Sequence, residues 1–242
     1  MNNHPHPNPL PYRAHVPAGE GGRTIVITGA TGVLGNLVAK TFAAQGHNLA
    51  LLDKDQEKLD LIVRDLNLPS ERLHAQTVDL LDAKALQDSA EAVLSKFGSV
   101  HALFHLVGGW VGGQTFVDTP HDDLEFMLNQ HVRTTFNLFK SFSKPLSANN
   151  WGRVIIISAS TVPNPPGKSA VYTAAKAAQE NMVLSLAAEL KESKVTANII
   201  HVRAIDVENK GAGTTPAVIV SAMEYLFSEQ AGKVSGARIP LY

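Results

Sequence analysis

The sequence predicts a single doubly wound α/β domain built on a parallel sheet of about seven strands, with helices on both faces. Three observations predict it. Apolar runs rich in Ile, Val and Leu recur along the chain, amphipathic stretches separate them, and a glycine-spaced turn, TGATGVLG at 28–35, directly follows the first run. Runs of this kind that alternate with helices mark strands covered on both faces, and such strands pair in parallel.

Taken in order, strands are expected at 23–28, 48–53, 72–78, 100–107, 153–159, 195–202 and 236–240. Helices are expected at 33–45, 55–67, 82–97, 120–148, 169–191 and 215–229. No solenoid repeat or linker interrupts 23–242, which reads as one domain. The first 22 residues differ. Pro5, Pro7, Pro9, Pro11 and Pro17 precede Gly19, Gly21 and Gly22. Closely spaced prolines exclude a helix, and no apolar segment of signal-peptide type is present, so a mobile tail is expected. His4 and His6 within it read as a solvated pair rather than a metal site.

Composition narrows the functional classes. The chain of 242 residues is 44% hydrophobic and 18% charged, enough to fill a substantial core. A net charge of −1 gives no overall pull toward nucleic acid or anionic membrane. Aliphatic stretches such as Val154-Ile155-Ile156-Ile157 are far too short for a membrane span. With no cysteine there is no disulfide, thiolate nucleophile or cysteine-bound zinc, a composition compatible with the cytoplasm. His101 and His105 lie four apart on a strand, roughly 13 Å, too far to share a metal.

The glycines suggest a nucleotide. Gly29 allows a sharp turn after the first strand, while Gly32 and Gly35 let a pyrophosphate and the strand approach the next helix, whose N-terminal amides face the anion. Asp53 ends the second apolar run, 18 residues beyond Gly35. A carboxylate there accepts the adenosine ribose hydroxyls and repels a 2′-phosphate, which implies NAD(H) in preference to NADP(H), with Lys54 as a partial offset. The competing reading of Asp53 is a helix N-cap. Asp79 ends the third strand within reach of an adenine edge, and Gly108 and Gly109 after the fourth leave room for a flat cofactor.

YTAAK at 172–176 then places Tyr172 and Lys176 four apart on one helix face. With these motifs in this order, the chain from 23 to 242 resembles the short-chain dehydrogenase/reductases, in their short single-domain branch, with a Rossmann-type fold. The resemblance implies an oxidoreductase that interconverts a carbonyl and an alcohol by hydride transfer. It implies Tyr172 as general acid/base and Lys176 as the cation that holds the nicotinamide ribose and lowers the phenol's pKa. The nucleotide would lie against Gly29, Thr31, Gly32, Val33, Leu34 and Gly35, then Asp53, Asp79 and Leu80, then Val107, Gly108 and Gly109, ending at Tyr172 and Lys176. It also implies a small-molecule substrate and a homodimer or homotetramer formed through helices 120–148 and 169–191.

Four departures stand beside the match. The Gly-x-x-Gly-x-x-Gly spacing resembles the family's longer sugar-nucleotide branch, but only 66 residues follow Lys176, too few for that branch's substrate domain. The expected substrate-positioning serine falls on Ala159, flanked by Ser158 and Ser160; Ser160 is the candidate, and the alternative is that no serine acts. His131 stands where the family has an asparagine, either as a proton relay toward Lys176 or as a packing substitution. Val202-Arg203-Ala204 replaces the usual Pro-Gly, and the loop after it is short. Arg203 there is a candidate for a substrate carboxylate or cofactor phosphate, or a surface ion-pair partner. Trp110 either walls the substrate pocket or seals the domain. These departures keep two other readings open: a nicotinamide-binding sensor or interaction protein with weakened turnover, and a pterin-type reductase.

Overall fold

The computed structural model describes residues 22–242; the tail expected at 1–22 lies outside them, Gly22 excepted. Seven strands form one parallel sheet: β1 Thr24–Thr28, β2 Asn48–Asp53, β3 Leu73–Thr77, β4 Ala102–His105, β5 Gly152–Ala159, β6 Val195–Val202 and β7 Arg238–Pro240. Their order across the sheet is β3-β2-β1-β4-β5-β6-β7. The chain winds outward from β1 to β3, returns to β4 and winds the other way. The strand order therefore reverses between β1 and β4, where a ligand crevice opens at the carboxyl ends of the strands.

Successive residues of β1 serve two cores, because strand side chains alternate between faces. Ile25 and Ile27 pack with Val38 and Phe42 of α1 (Val33–Ala44), Leu59 and Ile62 of α2 (Gln56–Leu66), and Ile219 and Met223 of α7 (Pro216–Phe227). Val26 faces the other way, toward Leu86 and Val93 of α3 (Ala83–Phe97), Leu138 and Phe142 of α5 (Thr134–Ala148), and Val183 and Leu186 of α6 (Ala170–Glu189). All five β1 residues are buried, which explains an apolar run without polar alternation.

The helix stops follow local chemistry. Asp55 caps α2 by accepting from Lys58 N at 3.1 Å, and Asp82 caps α3 by accepting from Lys84 N and Ala85 N at 2.9 Å. Asn67 and Gly98 end these helices in left-handed conformations. The N-cap reading of Asp53 therefore passes to Asp55.

Two expected elements differ. The fourth strand is shorter than 100–107, spanning Ala102–His105; Leu106 N still donates to Thr28 O at 3.0 Å, and Leu106 and Val107 beyond the strand line the crevice. The helix expected at 120–148 is broken: α4 (His121–Met127) leads through a π-helical turn, Leu128–Arg133, into α5. Thr134 and Thr135 donate their hydroxyls back to the carbonyls of Gln130 and His131, at 2.8 and 2.6 Å, at the exit of that turn. Such turns loosen the backbone ladder and occur often at functional sites. This one carries His131.

Candidate active site

Two cavities open at the carboxyl ends of the strands. The first, about 450 Å³, runs from Gly29, Thr31 and Gly32 past Asp53 and Asp79 to Gly108. Gly29 has φ +72, and a Cβ on it would stand 2.9 Å from the backbone of Leu106 and Val107. A Cβ on Gly35 would lie 2.2 Å from Gly29 O, so the helix can approach the turn only without a side chain there. Gly32 is the N-cap of α1 and offers no side-chain acceptor, which leaves the first N–H groups of the helix for an anion. Leu34 is buried in the core and Val33 is exposed; neither side chain, nor Gly35, lines the cavity. Backbone N–H groups are what these three positions could offer an anion at the helix end.

Asp53 is tied to the turn. Its Oδ2 accepts from Thr31 N at 2.9 Å and Thr31 Oγ1 at 2.8 Å, and its Oδ1 from Lys54 N at 2.8 Å. The carboxylate thus fixes the glycine turn against the end of β2 while it faces the cavity. Asp79 accepts from Leu81 N at 2.9 Å, and Leu80 lines the same wall. Phe126, Asn129, Gln130 and Thr134 complete the opposite wall. Sequence reasoning did not find these four, because α4 and the π turn meet the sheet only in the folded chain. The glycine cradle, the open helix end and the acid at the end of β2 fit a dinucleotide.

The second cavity, about 380 Å³, adjoins the first and shares Leu106, Val107 and Gly108 with it. Its walls include Gly109, Trp110, His131, Ser158, Tyr172, Lys176 and Arg203. The structure thus brings Tyr172, Lys176 and His131 into one chamber. The His131 and Tyr172 rings meet edge to face at 5.9 Å. Ser160 is half-buried at the end of β5 and does not line the chamber. Its N–H donates to Val202 O at 2.8 Å.

The protonation states follow from burial. Burial raises the pKa of the Tyr172 phenol. Burial also lowers Lys176 to about 7, against a smaller opposing pull from Glu180. Its Nζ donates to Ile157 O at 2.8 Å and to Gln179 Oε1 at 3.0 Å. Burial, then the Lys176 charge, pushes His131 to about 3. His131 Nε2 lies 3.0 Å from Gly109 O, so it must carry the proton and donate; Nδ1 is a buried acceptor without a partner among the described residues. An imidazole this hard to protonate is neutral near pH 7, where it holds Gly109 O by this hydrogen bond and is a poor proton carrier. His105, also about 3 through burial and then Lys176, pairs its Nδ1 with Thr28 Oγ1 at 2.7 Å and so ties β4 to β1.

Behind the chamber lies a buried carboxylate the sequence reading did not single out. Glu180 sits one turn after Lys176 on α6. Its Oε1 accepts from Ser158 Oγ at 2.6 Å and lies 2.8 Å from His201 Nε2, and its Oε2 accepts from Arg238 Nε at 2.6 Å. Burial alone would raise its pKa, but hydrogen bonds from His201, Ser158 and Arg238 outweigh burial and hold it below the usual carboxylate range. The β5–β6 register, which sets Ser158 beside His201, assembles this cluster. The i, i+4 spacing from Lys176 was the available signal.

A parallel sheet with its nucleotide-type crevice at the β1/β4 reversal, ending in a Tyr172/Lys176 chamber, defines a dinucleotide-fold oxidoreductase. The family model described as "short chain dehydrogenase" matches residues 23–215. The chain belongs to the short-chain dehydrogenase family. Its curated relatives include the oxidoreductase UcpA of Escherichia coli, 30% identical over 181 residues, which cover 74% of this chain and 68% of that protein. Another is the 3-oxoacyl-(acyl-carrier-protein) reductase MabA of Mycobacterium tuberculosis, 27% identical over 238 residues, with 90% and 91% covered. Among solved structures, a 3-ketoacyl-(acyl-carrier-protein) reductase from Brucella melitensis, complexed with NADH, shares the fold at TM-score 0.83 and 20% identity, over 91% of this chain and 96% of that one. No helix among the described residues is long and apolar enough to cross a membrane.

Proposed function

We propose that this protein is a nicotinamide-dependent oxidoreductase, preferring NAD(H), that interconverts a carbonyl and an alcohol with Tyr172 as general acid/base. One observation carries the reading: the glycine-cradled cavity and the chamber that holds Tyr172, Lys176 and His131 border each other along Leu106, Val107 and Gly108. Bound nicotinamide would supply or take the hydride. The chain supplies the rest. Tyr172, kept protonated by burial, donates its proton to a carbonyl oxygen in the reductive direction and recovers it from solvent. Lys176 lines the same chamber and brings positive charge to it when protonated, at and below about pH 7. Of the two flanking serines, Ser158 spends its hydroxyl on Glu180, so Ser160 is the one free to approach the substrate oxygen, with movement of the loop after β5. His131 and Trp110 shape the wall. Assembly through α4, α5 and α6 into a dimer or tetramer belongs to the same proposal.

Tyr172→Phe tests it. The ring and its contact with His131 stay, so NADH affinity by fluorescence titration should hold within a few-fold. Turnover of a carbonyl panel should fall by about 100- to 10,000-fold, the usual worth of a general acid/base. Parental turnover in the variant would refute the assignment.

Two observations favour a second reading, a nicotinamide-binding sensor. Ala159 carries no hydroxyl, and the Lys176 ammonium is turned inward onto Ile157 O and Gln179. NADH binding without turnover of any carbonyl by the parent would establish it.

A further inference from the structure

The chamber around Tyr172 has a charge balance that its catalytic assignment leaves unexplained. No aspartate or glutamate lines it, whereas Arg203 and Lys176 do. Arg203 is exposed at the end of β6 and makes no hydrogen bond or ion pair among the described residues. The acids next to it in sequence are engaged elsewhere. Asp206 accepts from Lys210 N, Gly211 N and Ala212 N at 3.0, 2.7 and 3.2 Å, closing its own loop, and Glu208 pairs with Lys210. Glu180 is fully buried and filled by three partners. The guanidinium is thus a planar, permanently charged donor at the wall of a small chamber, without an acid to neutralise it.

Resting on the catalytic reading above, we infer that the substrate is a small carbonyl or hydroxy acid whose carboxylate pairs with Arg203 while its carbonyl or hydroxyl oxygen meets Tyr172. Arg203 suits this task because its fork binds a carboxylate through two parallel N–H bonds, which fixes orientation as well as charge. The chamber's volume of about 380 Å³ suits a small molecule. A neutral ketone of the same size would leave Arg203 without a counter-ion.

The anion could also come from the cofactor's own phosphate, and the experiment separates the two sources. The probes are 2- and 3-oxo acids of four to six carbons, each beside its methyl ester, with NADH as reductant. The parent should reduce at least one acid with kcat/KM about 10- to 100-fold above its ester, the range of a charge-assisted hydrogen bond. Arg203→Gln should erase that difference by lowering the value for the acid alone, with NADH affinity unchanged, and Arg203→Lys should restore part of it. Equal turnover of acid and ester by the parent would overturn the inference. So would a weaker NADH affinity in Arg203→Gln with the acid preference intact, because the guanidinium would then serve a phosphate. If the parent turns over neither these probes nor any other carbonyl of the panel, the catalytic reading fails. If it turns over other carbonyls but neither probe, that reading stands. In both cases calorimetry on the NADH complex decides the inference. Tighter binding of acid than ester, abolished in Arg203→Gln, supports it; equal binding sinks it.

Discussion

Lys176→Met puts the buried ammonium to a quantitative test. The side chain is 5% exposed, and burial moves its pKa from 10.5 to about 7. The folded protein therefore binds fewer protons than the unfolded chain between these two values, so parental stability rises with pH through this window. It is lower by the whole amount below about pH 7, where the lysine must be buried charged. At about 1.4 kcal/mol per pH unit, the full window corresponds to about 5 kcal/mol, of which about 3 kcal/mol falls between pH 7 and 9. Methionine is one atom shorter and keeps most of the packing, but has nothing to titrate. It also leaves Ile157 O and Gln179 Oε1 without their donor, which costs about 1–3 kcal/mol at every pH. Urea unfolding of parent and variant, followed by tryptophan fluorescence between pH 6 and 9, should thus show two curves that diverge. The parent should gain on the variant as pH rises above 7. A constant gap across that range would refute the burial argument, and with it the view that Lys176 is only half charged at neutrality.

Two further outcomes follow from the site. The parent should bind NADH more tightly than NADPH by roughly tenfold or more, about 1.4 kcal/mol, because the Asp53 carboxylate faces the cavity. Asp53→Ser should shrink that ratio, and a parental preference for NADPH would reverse the assignment. Ser160→Ala should lower kcat/KM by about 10- to 1000-fold. Ser158→Ala, which removes a donor from buried Glu180, should instead lower stability by about 1.5–3 kcal/mol with little change in kcat/KM. A larger kinetic effect at Ser158 than at Ser160 would exchange their roles.

What the sequence determined by itself was whatever depends on local pattern. The apolar runs became seven strands because a strand buried on both faces has to be apolar along its length, and β1 is buried at every residue. Gly29 and Gly35 were legible because their demand is backbone geometry, a positive φ and a contact closer than any Cβ allows. Tyr172 and Lys176 were legible because helical spacing alone puts them on one face. Only the tertiary structure decided what depends on partners distant in the chain. Ser158 reads as a free hydroxyl until the β5–β6 register and α6 bring Glu180 and His201 onto it. Asp55 rather than Asp53 caps α2, and Asp53 turns to Thr31, 22 residues earlier. The π turn at Leu128–Arg133 was invisible to a periodicity of 3.6, since one loosened turn shifts the phase without breaking the apolar pattern. Charge states lay furthest from the sequence. Lysine and histidine titrate near 10.5 and 6.5 in water, and only burial, a property of the packed chain, brings Lys176 to about 7 and His131 to about 3.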